Sequence, residues 1–440
     1  MKRAVSVLLS VALMLSVLTG CGKSGSVSKK NIPAEETAES TKIALSDSGI
    51  TVDGAAISDD ETAAVYAAQD IVYYEEGQGV AYGAGTDADA HSQEEADAHI
   101  VVHITQPGTY TLSGTLSAGQ IAVDLGDGAE EDPEAVVTIV LDGVDITCTV
   151  APAIIFYRVY ECGSADMETA TQTVDTSAAG ANVVIADGTE NRVTGSHVAK
   201  IYKPESVTLN ADGTAVEEAK KLHKYDGALY SKMSMNVSGG EAGTGTLEIV
   251  ADNEGLDSEL HLTINSGNIH ILAGNDGINT NEDGVSVTTI NGGTLRIEVT
   301  GETGEGDGID SNGWLVINGG TVIAAACSDS ADSGLDSDNG IYINGGIVIA
   351  SGNMYDAVDG GDQTYAVFQF AQKQSGGQTY TLKNAAGETV LEMTPENAFQ
   401  YLVVSAPGLA EGEYTLWCGD TQLGASTGSV GGPSGGMGRP

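Results

Sequence analysis

Residues 306–322 read GDGIDSNGWLVINGGTV, and the chain repeats this pattern at 275–295 (NDGINTNEDGVSVTTINGGTL) and at 332–348 (DSGLDSDNGIYINGGIV). A turn that begins with asparagine (Asn-Gly-Gly, or Asn-Ser-Gly in the first) closes each repeat. These asparagines are Asn265, Asn291, Asn318 and Asn344, at spacings of 26, 27 and 26 residues. Sequence periods of about 20–50 residues indicate solenoids, propellers or arrays. The repeat therefore decides the fold class.

Each repeat contains only short alternating strands and turns, and it is shorter than the ~40 residues of a propeller blade. We therefore predict an all-β protein, a right-handed parallel β-helix (solenoid) with one coil per repeat and a small C-terminal β domain. Alternation places Leu315 and Ile317 on the inner face. The turn asparagines are expected to form a hydrogen-bonded ladder. The copy at Val285–Ile290 breaks the alternation, which predicts a β-bulge there.

Two sets of acidic positions recur in phase with the repeat. The first set lies two residues after a glycine or alanine, on the predicted outer face: Asp257, Asn279, Asp310, Asp336 and Asp359. The second set directly precedes that glycine or alanine: Asp276, Asp307 and Asp356, with Asp332 one place further back and Glu254 in its own copy. Coils stack ~4.8 Å apart, so each set is predicted to form a column.

Two carboxylates at that distance repel by about 3.5 kcal/mol at an effective dielectric constant of 20. Raised pKa values, solvent screening or a bound cation could relieve this repulsion. Carboxylate and amide oxygens suit Ca²⁺, whereas the columns hold no His or Cys for zinc or copper. We predict a calcium site formed by both columns. The alternative is that each aspartate only caps a tight turn beside glycine.

The formal net charge of −44 argues against nucleic acid as a partner, because nucleic-acid binding depends on Lys and Arg neutralising phosphates. Residues 1–21 combine Lys2 and Arg3, an apolar run and Leu-Thr-Gly-Cys, a pattern typical of a lipoprotein signal peptide. We therefore predict lipidation at Cys21, a location on the outer face of a bacterial cell membrane, and membrane contact through the lipid alone. Three pairings of Cys148, Cys162, Cys327 and Cys418 are possible.

The remaining chain divides by composition. The predicted segments are a tether at 22–48, the β-helix at 49–362 with an insertion at about 58–98, a C-terminal β domain at 363–424, and a Gly-rich disordered tail at 425–440. Ile323, Ile347 and Ile349 fall on the outer face of the last coils. Outward isoleucines predict that the C-terminal domain covers them.

An ordered set of motifs resembles a known family. The motifs are ITQPGTYTLSGTLSAGQIAVD (104–124), VLDGVDIT (140–147), IADGTENRVTG (185–195), DGALYSKMSMNVSGG (226–240), the repeats, and VVSAPGLAEGEYTL (403–416). Together they are similar to the bacterial, clostridial-type carbohydrate-binding-domain family of extracellular proteins. That resemblance implies a pectate-lyase-like parallel β-helix that binds calcium and acidic, pectin-type polysaccharide.

The predicted function is therefore binding of a polygalacturonate-type polysaccharide by a monomer, through calcium and without catalysis. Arg296, Trp314 and Tyr342 are candidate ligand-binding residues, since an arginine can pair with a sugar carboxylate and aromatic rings can stack on sugars. A calcium-dependent lyase is the first alternative, although Lys232 and Arg296 are the only Lys or Arg side chains between residues 225 and 362. A structural surface adhesin is the second.

Replacing Cys21 by serine tests the lipid anchor. Because serine cannot carry the thioether-linked lipid, Cys21→Ser is expected to release soluble protein or to leave the precursor uncleaved. Fractionation of expressing cells and the mass of the mature N-terminus measure this result. A variant that stays in the membrane fraction with normal processing would contradict the prediction.

Overall fold

A computed structural model of the chain describes residues 40–85 and 89–431. The predicted signal peptide, the lipidation site at Cys21 and most of the predicted tether lie outside the described residues. None of the described helices is long and apolar enough to cross a membrane. Strands dominate this part of the chain, which is nearly all β.

Most of the strands belong to three ladders. The first ladder contains Thr41–Leu45, Gly108–Leu116, Val137–Thr147, Ala181–Ile185, Met235–Gly239, Leu262–Ile264, Val287–Ile290, Trp314–Ile317, Gly340–Ile343 and Val358–Gly360. The second ladder starts from the end of Val137–Thr147 and continues through Glu190–Gly195, Thr246–Ala251, Asn268–Ala273, Thr294–Val299, Thr321–Ala325 and Ile347–Gly352. The third contains Val65–Ala68, Ile100–Ile104, Gly119–Asp124, Ile154–Arg158, Gly227–Ser231, Glu254–Ser258 and Ile278–Thr280.

Strands of neighbouring repeats pair in parallel and in register. In the first ladder Ile264 pairs with Ile290, Ile290 with Ile317, and Ile317 with Ile343. All four isoleucines are buried, as the alternation predicted for Ile317. Like residues of successive repeats therefore stack on one another, and the stacked apolar side chains form the core between the ladders.

The asparagine ladder is confirmed. The Nδ2 of Asn291 donates to Oδ1 of Asn265 over 3.0 Å, Asn318 donates to Asn291 over 2.9 Å, and Asn344 donates to Asn318 over 2.8 Å. Each asparagine thus links two repeats at the turn between the first and second ladders. Gly320, the last residue of one such turn, has a φ of +83°, a conformation that glycine adopts without strain.

The predicted bulge at Val285–Ile290 is wrong. Thr288 pairs with Leu262 on one side and Leu315 on the other without a shift in register. Its side chain points into the core and is fully buried. The hydroxyl is accommodated because its Oγ1 lies 3.0 Å from the Oγ1 of Thr280, which also contacts Ser311. A buried hydrogen bond therefore replaces the apolar contact that the alternation requires elsewhere.

The C-terminal segment covers the outward isoleucines, as predicted. Strands Tyr365–Gln374 and Phe399–Ser405 pair antiparallel with each other, and the latter also pairs with Ile347–Gly352. A four-stranded sheet follows, built from Tyr380–Asn384, Thr389–Met393, Gly412–Cys418 and Thr421–Gly428. Ile349 belongs to the core of this segment, and Ile323 and Ile347 pack against it.

Two predicted boundaries are corrected. The tether cannot extend to residue 48, because Thr41–Leu45 pairs in parallel with the strand Gly108–Leu116 and buries Ile43 completely. The disordered tail cannot begin at residue 425, because Thr421–Gly428 is a strand paired with Gly412–Cys418. Backbone hydrogen bonds form this pairing, so a strand rich in glycine and other small residues can still take part in it.

The predicted insertion at 58–98 is attached to the third ladder. It contributes the strand Val65–Ala68, antiparallel to Ile100–Ile104, and the helix Gln93–Asp97, whose N-cap Ser92 accepts a hydrogen bond from the backbone of Glu95. The remaining short elements are the strands Thr51–Val52, Ala55–Ala56, Thr208–Leu209 and Val216–Glu218, and the 3₁₀ turns Ala129–Glu131 and Pro204–Ser206. The four cysteines of the described chain are free thiols.

Alanine at Gly320 tests how tightly the repeats stack. A Cβ there would lie 2.8 Å from backbone atoms of the neighbouring turn, whereas a Cβ at Gly304, with a φ of +94°, would meet nothing within 4 Å. The positive φ alone costs an alanine about 1–2 kcal/mol. Gly304→Ala should lose that amount of unfolding free energy, and Gly320→Ala should lose about 1–3 kcal/mol more. Urea unfolding measures both variants; equal losses would contradict close stacking.

Candidate functional site

The first set of predicted acidic positions stacks along the edge of the third ladder. Asp257 and Asn279 are paired in register. The pairing continues through Ile278 and Ile309, and the backbone N–H of Asp336 donates to the Ile309 carbonyl over 2.8 Å. Asp310 and Asp336 therefore extend the same column. We call these four residues, together with Glu254 at the start of its strand, the acid edge.

The sequence predicted that the first-set residues of the acid edge point outward, but only some of them do. Asp257 is fully buried and Asn279 is 8% exposed, whereas Asp310 and Asp336 are partly exposed. The long turn at 196–226 approaches the buried end. Its Asp226 carbonyl accepts hydrogen bonds from the Glu254 backbone N–H over 3.2 Å and from Asn253 over 3.3 Å. The edge is therefore closed toward the N-terminal repeats and opens toward the C-terminal repeats.

Three oxygens at the closed end accept no N–H or hydroxyl hydrogen bond from the described residues, and the Glu254 and Asp257 carboxyl groups can share a hydrogen bond only when one of them is protonated. Asp257 accepts from Asn281 through Oδ1 at 2.8 Å, and Glu254 accepts from Asn279 through Oε1 at 3.1 Å. The other oxygens, Oδ2 of Asp257, Oε2 of Glu254 and Oδ1 of Asn279, are buried without a hydrogen-bond partner among the described residues. Buried acceptors are rarely left unpaired, because the desolvation cost is then uncompensated.

The second set of predicted acidic positions accepts hydrogen bonds from neighbouring repeats. Oδ1 of Asp276 accepts the backbone N–H of Asp307 over 2.6 Å, and Oδ1 of Asp307 accepts that of Ser333 over 2.6 Å. Asp332 accepts the N–H of Gly306 over 2.7 Å in the opposite direction along the stack. These aspartates therefore link neighbouring repeats, whereas the turn-capping alternative placed each bond within its own turn.

The last copy departs from the columns. Val358–Gly360 pairs with Gly340–Ile343 of the first ladder, with an irregularity in register, and not with the third ladder. Asp359 therefore does not stack on Asp336, and its Oδ2 accepts the backbone N–H of Ile341 over 3.1 Å. The predicted column is wrong at this position because the strand that carries Asp359 pairs with the first ladder instead. Asp356 remains near the edge and accepts the N–H of Ser337 over 3.2 Å.

Burial and mutual repulsion raise the pKa values of five of these acids, Glu254, Asp257, Asp276, Asp307 and Asp310. Burial, followed by the charge of Asp226, raises the pKa of Glu254 to about 7. Burial and the charge of Asp276 raise the pKa of Asp307 to about 9, and burial and the charge of Asp336 raise that of Asp310 to about 7. Burial raises the pKa values of Asp257 and Asp276 well above the usual range. Ionised carboxylates are therefore costly here without a compensating positive charge.

The acid edge fits a hard cation only in part. Its ligand atoms are all carboxylate and amide oxygens, which suit Ca²⁺. Among the described residues, no three His, Cys, Asp or Glu side chains converge closely enough to hold a metal by themselves. A calcium ion would therefore be held by the Glu254–Asp257 pair, the Asn279 amide oxygen and water. The three unpaired oxygens match that donor set.

The predicted sugar-contacting residues lie elsewhere. Trp314 and Tyr342 are partly exposed on the outer face of the first ladder, where their strands pair. Arg296 is on the second ladder and forms an ion pair with Glu396 of the C-terminal segment. The structure thus does not bring these three residues to the acid edge.

Lysines that the sequence analysis did not consider do lie beside it. Lys224 Nζ is 3.1 Å from Oε2 of Glu259, two residues beyond Asp257, and Lys221 Nζ is 2.9 Å from Oδ2 of Asp226. Both come from the long turn at 196–226, which precedes the explicit repeats. The enrichment of lysine in 200–224 was the available signal, but the sequence does not show where that turn folds.

One relative is a carbohydrate-binding domain-containing protein of Acetivibrio thermocellus, which is 31% identical over 173 residues. The match covers 39% of this chain and 45% of the relative, so the chain spans less than half of that protein. A solved structure described as the polysaccharide lyase-like protein from C. thermocellum, a gadolinium derivative, is 21% identical. The match covers 70% of this chain and 92% of the solved chain, with a TM-score of 0.38.

A family match covers the ladders and the acid edge. Residues 98–375 match the family described as carbohydrate-binding domain-containing protein. The matched segment is more than half of the chain, and it includes the long turn at 196–226. The protein therefore belongs to the family of carbohydrate-binding domain-containing proteins.

Proposed function

We propose that this protein binds an acidic, polygalacturonate-type polysaccharide through calcium held at the acid edge, without cleaving it. Family membership supports a carbohydrate ligand. The observation that carries the calcium proposal is the set of three unpaired buried oxygens on Glu254, Asp257 and Asn279. A cation there would satisfy all three and would offset the repulsion between the two carboxylates.

Calcium also accounts for how an acidic protein could bind an acidic polymer. The net charge of −44 repels a polyanion, so direct contact requires an intermediate positive charge. Toward the open end, Asp310 and Asp336 are partly exposed and could share a calcium ion with sugar carboxylates. Weak contacts repeated along a polymer sum through multivalency.

Three further features belong to this proposal. The parallel ladders support a right-handed parallel β-helix, with one coil per repeat. The N-terminal sequence supports a lipid-anchored, extracellular protein whose mature chain begins at Cys21. A monomer satisfies the proposal, because the acid edge is formed within one chain.

A calcium-dependent lyase is the second candidate, and the lysines beside the acid edge are the observation that favours it. Burial lowers the pKa of Lys224, but the neighbouring Glu259 outweighs it and the net shift is upward. Asp226 has the same effect on Lys221. A general base must be unprotonated at the working pH. Both lysines are held as ammonium ions, so the arrangement favours binding over proton abstraction.

Calcium is expected to stabilise the folded protein most at alkaline pH. The folded-state pKa values of Glu254 and Asp307, about 7 and about 9, exceed the ordinary values of about 4. The folded chain therefore binds more protons between pH 4 and 9, and its stability in EDTA falls as pH rises through that range. Calcium at the closed end would replace the protons on Glu254 and Asp257, whereas Asp307 would keep its own pH dependence. At a hundred times its dissociation constant one site adds about 2.7 kcal/mol.

Urea unfolding in EDTA and in calcium, at pH 5 and pH 8.5, measures this effect. Glu254→Gln should reduce both the pH dependence and the calcium effect, because the amide cannot ionise. Identical unfolding curves with and without calcium at pH 8.5, together with no bound metal by elemental analysis, would refute the calcium site.

Retention on immobilised polygalacturonate tests the ligand. The double variant Asp310→Asn and Asp336→Asn should lose calcium-dependent retention at least tenfold while keeping its unfolding midpoint, because the amides preserve shape but lose charge. Asp359→Asn is the matched control, since Asp359 lies outside the column, and it should be retained like the wild type. Retention unchanged by EDTA would exclude calcium bridging, and unsaturated products absorbing near 235 nm would establish the lyase instead.

A further inference from the structure

A cavity of about 340 Å³ lies beside the closed end of the acid edge. The long turn at 196–226 forms one wall. Tyr202 pairs antiparallel with Lys221, and the backbone N–H of Lys203 donates to the carbonyl of Lys220 over 2.9 Å. This pairing brings Lys203 next to Lys221. The chain then continues through His223 and Lys224 into the strand Gly227–Ser231 of the third ladder.

The cavity concentrates positive charge in an acidic protein. Lys203, Lys221, Lys224 and Lys232 line it, four of the 18 Lys and Arg residues in a chain whose net charge is −44. The lining acids are Glu130, Glu259 and Glu282. Asp226 also pairs with Lys221, so four lysines stand against four acids. The cavity is therefore close to neutral in a strongly acidic chain, and it repels an anion less than the rest of the surface does.

Lys203 is the lysine that the protein leaves unneutralised. Lys224 pairs with Glu259 at 3.1 Å, Lys232 with Glu130 at 3.2 Å, and Lys221 with Asp226. Within the described residues Lys203 forms no ion pair. Burial and the nearby Lys203 charge lower the pKa of His223. The neutral imidazole leaves the Lys203 ammonium as the uncompensated charge on this wall.

The cavity also offers aromatic side chains, on which the apolar face of a sugar ring can pack. His223 stacks on Tyr225 with ring centroids 4.5 Å apart, and Tyr225 meets Tyr230 edge-on at 5.2 Å. Leu222 is 42% exposed beside them. Aromatic rings with polar tips suit ligands that have both an apolar face and hydrogen-bonding groups. The volume is at the small end of ligand pockets, which fits a single sugar ring.

We propose that this cavity binds one carboxylate-bearing sugar residue, with the carboxylate at Lys203 and the ring against His223 and Tyr225. This inference rests on the proposed function, because it assigns a subsite for one residue of the acidic polysaccharide. Binding at this subsite does not pass through calcium. Glu259 lies two residues from Asp257 and pairs with Lys224, so the cavity adjoins the closed end of the acid edge and one polymer could contact both.

Titration with trigalacturonate in EDTA isolates the cavity from the calcium site. The mature chain is expected to bind the trisaccharide, and Lys203→Ala is expected to weaken binding about tenfold, the effect of losing one charge-assisted hydrogen bond. Lys220→Ala is the matched control: Lys220 is exposed in the same turn but does not line the cavity, so affinity should not change. Because the Lys203 side chain forms no ion pair, both variants should keep the wild-type unfolding midpoint.

Galactotriose, the uncharged analogue, should bind at least tenfold more weakly than trigalacturonate. Three results would each overturn the subsite: no binding of trigalacturonate in EDTA, equal affinity of Lys203→Ala and the wild type, or equal affinity for the two trisaccharides. Calcium-dependent retention on polygalacturonate decides the proposed function separately. If Lys203→Ala does not change the affinity for trigalacturonate but the wild type still shows calcium-dependent retention on polygalacturonate, only the subsite is wrong. If the subsite binds but calcium does not support retention, only the bridging is wrong.

Discussion

In-register parallel pairing between repeats is the constraint on which the rest of this protein depends. It stacks the same position of each repeat at the ~4.8 Å distance between strands. Equivalent positions of successive repeats often carry the same residue type, so like side chains contact one another. The chemistry of that side chain decides whether the stack stabilises the fold. Isoleucines stack favourably in the core, and the turn asparagines Asn291 and Asn318 each donate one hydrogen bond and accept one along the ladder. Aspartates stacked in the same way repel.

The protein responds to that repulsion in two ways. Asp276 and Asp307 direct their carboxylates to backbone N–H groups of the next repeat, so their charge is partly compensated by the same stacking that creates it. At the closed end of the acid edge Asp257 and Glu254 lack such donors for one oxygen each. The first arrangement supports the fold, and the second carries the cation site that we propose. The surroundings of one acidic motif thus differ according to which atoms lie opposite it.

Departures from the repeat add what the repeat cannot supply. The repeated segments contain few cationic side chains, whereas the long turn at 196–226 places Lys221 and Lys224 against the acid edge and Lys203 in the neighbouring cavity. The C-terminal segment covers Ile323, Ile347 and Ile349, which would otherwise form an exposed apolar end. Regular stacking supplies a long acidic edge, and the long turn at 196–226 adds lysine side chains at one end of that edge.

Features that follow from local period and alternation could be predicted from the sequence. These are the strand-rich class, the inward positions of Leu315 and Ile317, the asparagine ladder and the outward isoleucines, because each depends on spacing along one repeat. Features that depend on distant segments required the tertiary structure. Asp257 is buried because the turn ending at Asp226 approaches it, and Asp359 leaves the column because its strand pairs with the first ladder. Side-chain period specifies which face a residue occupies, but packing of remote chain segments decides what lies against that face.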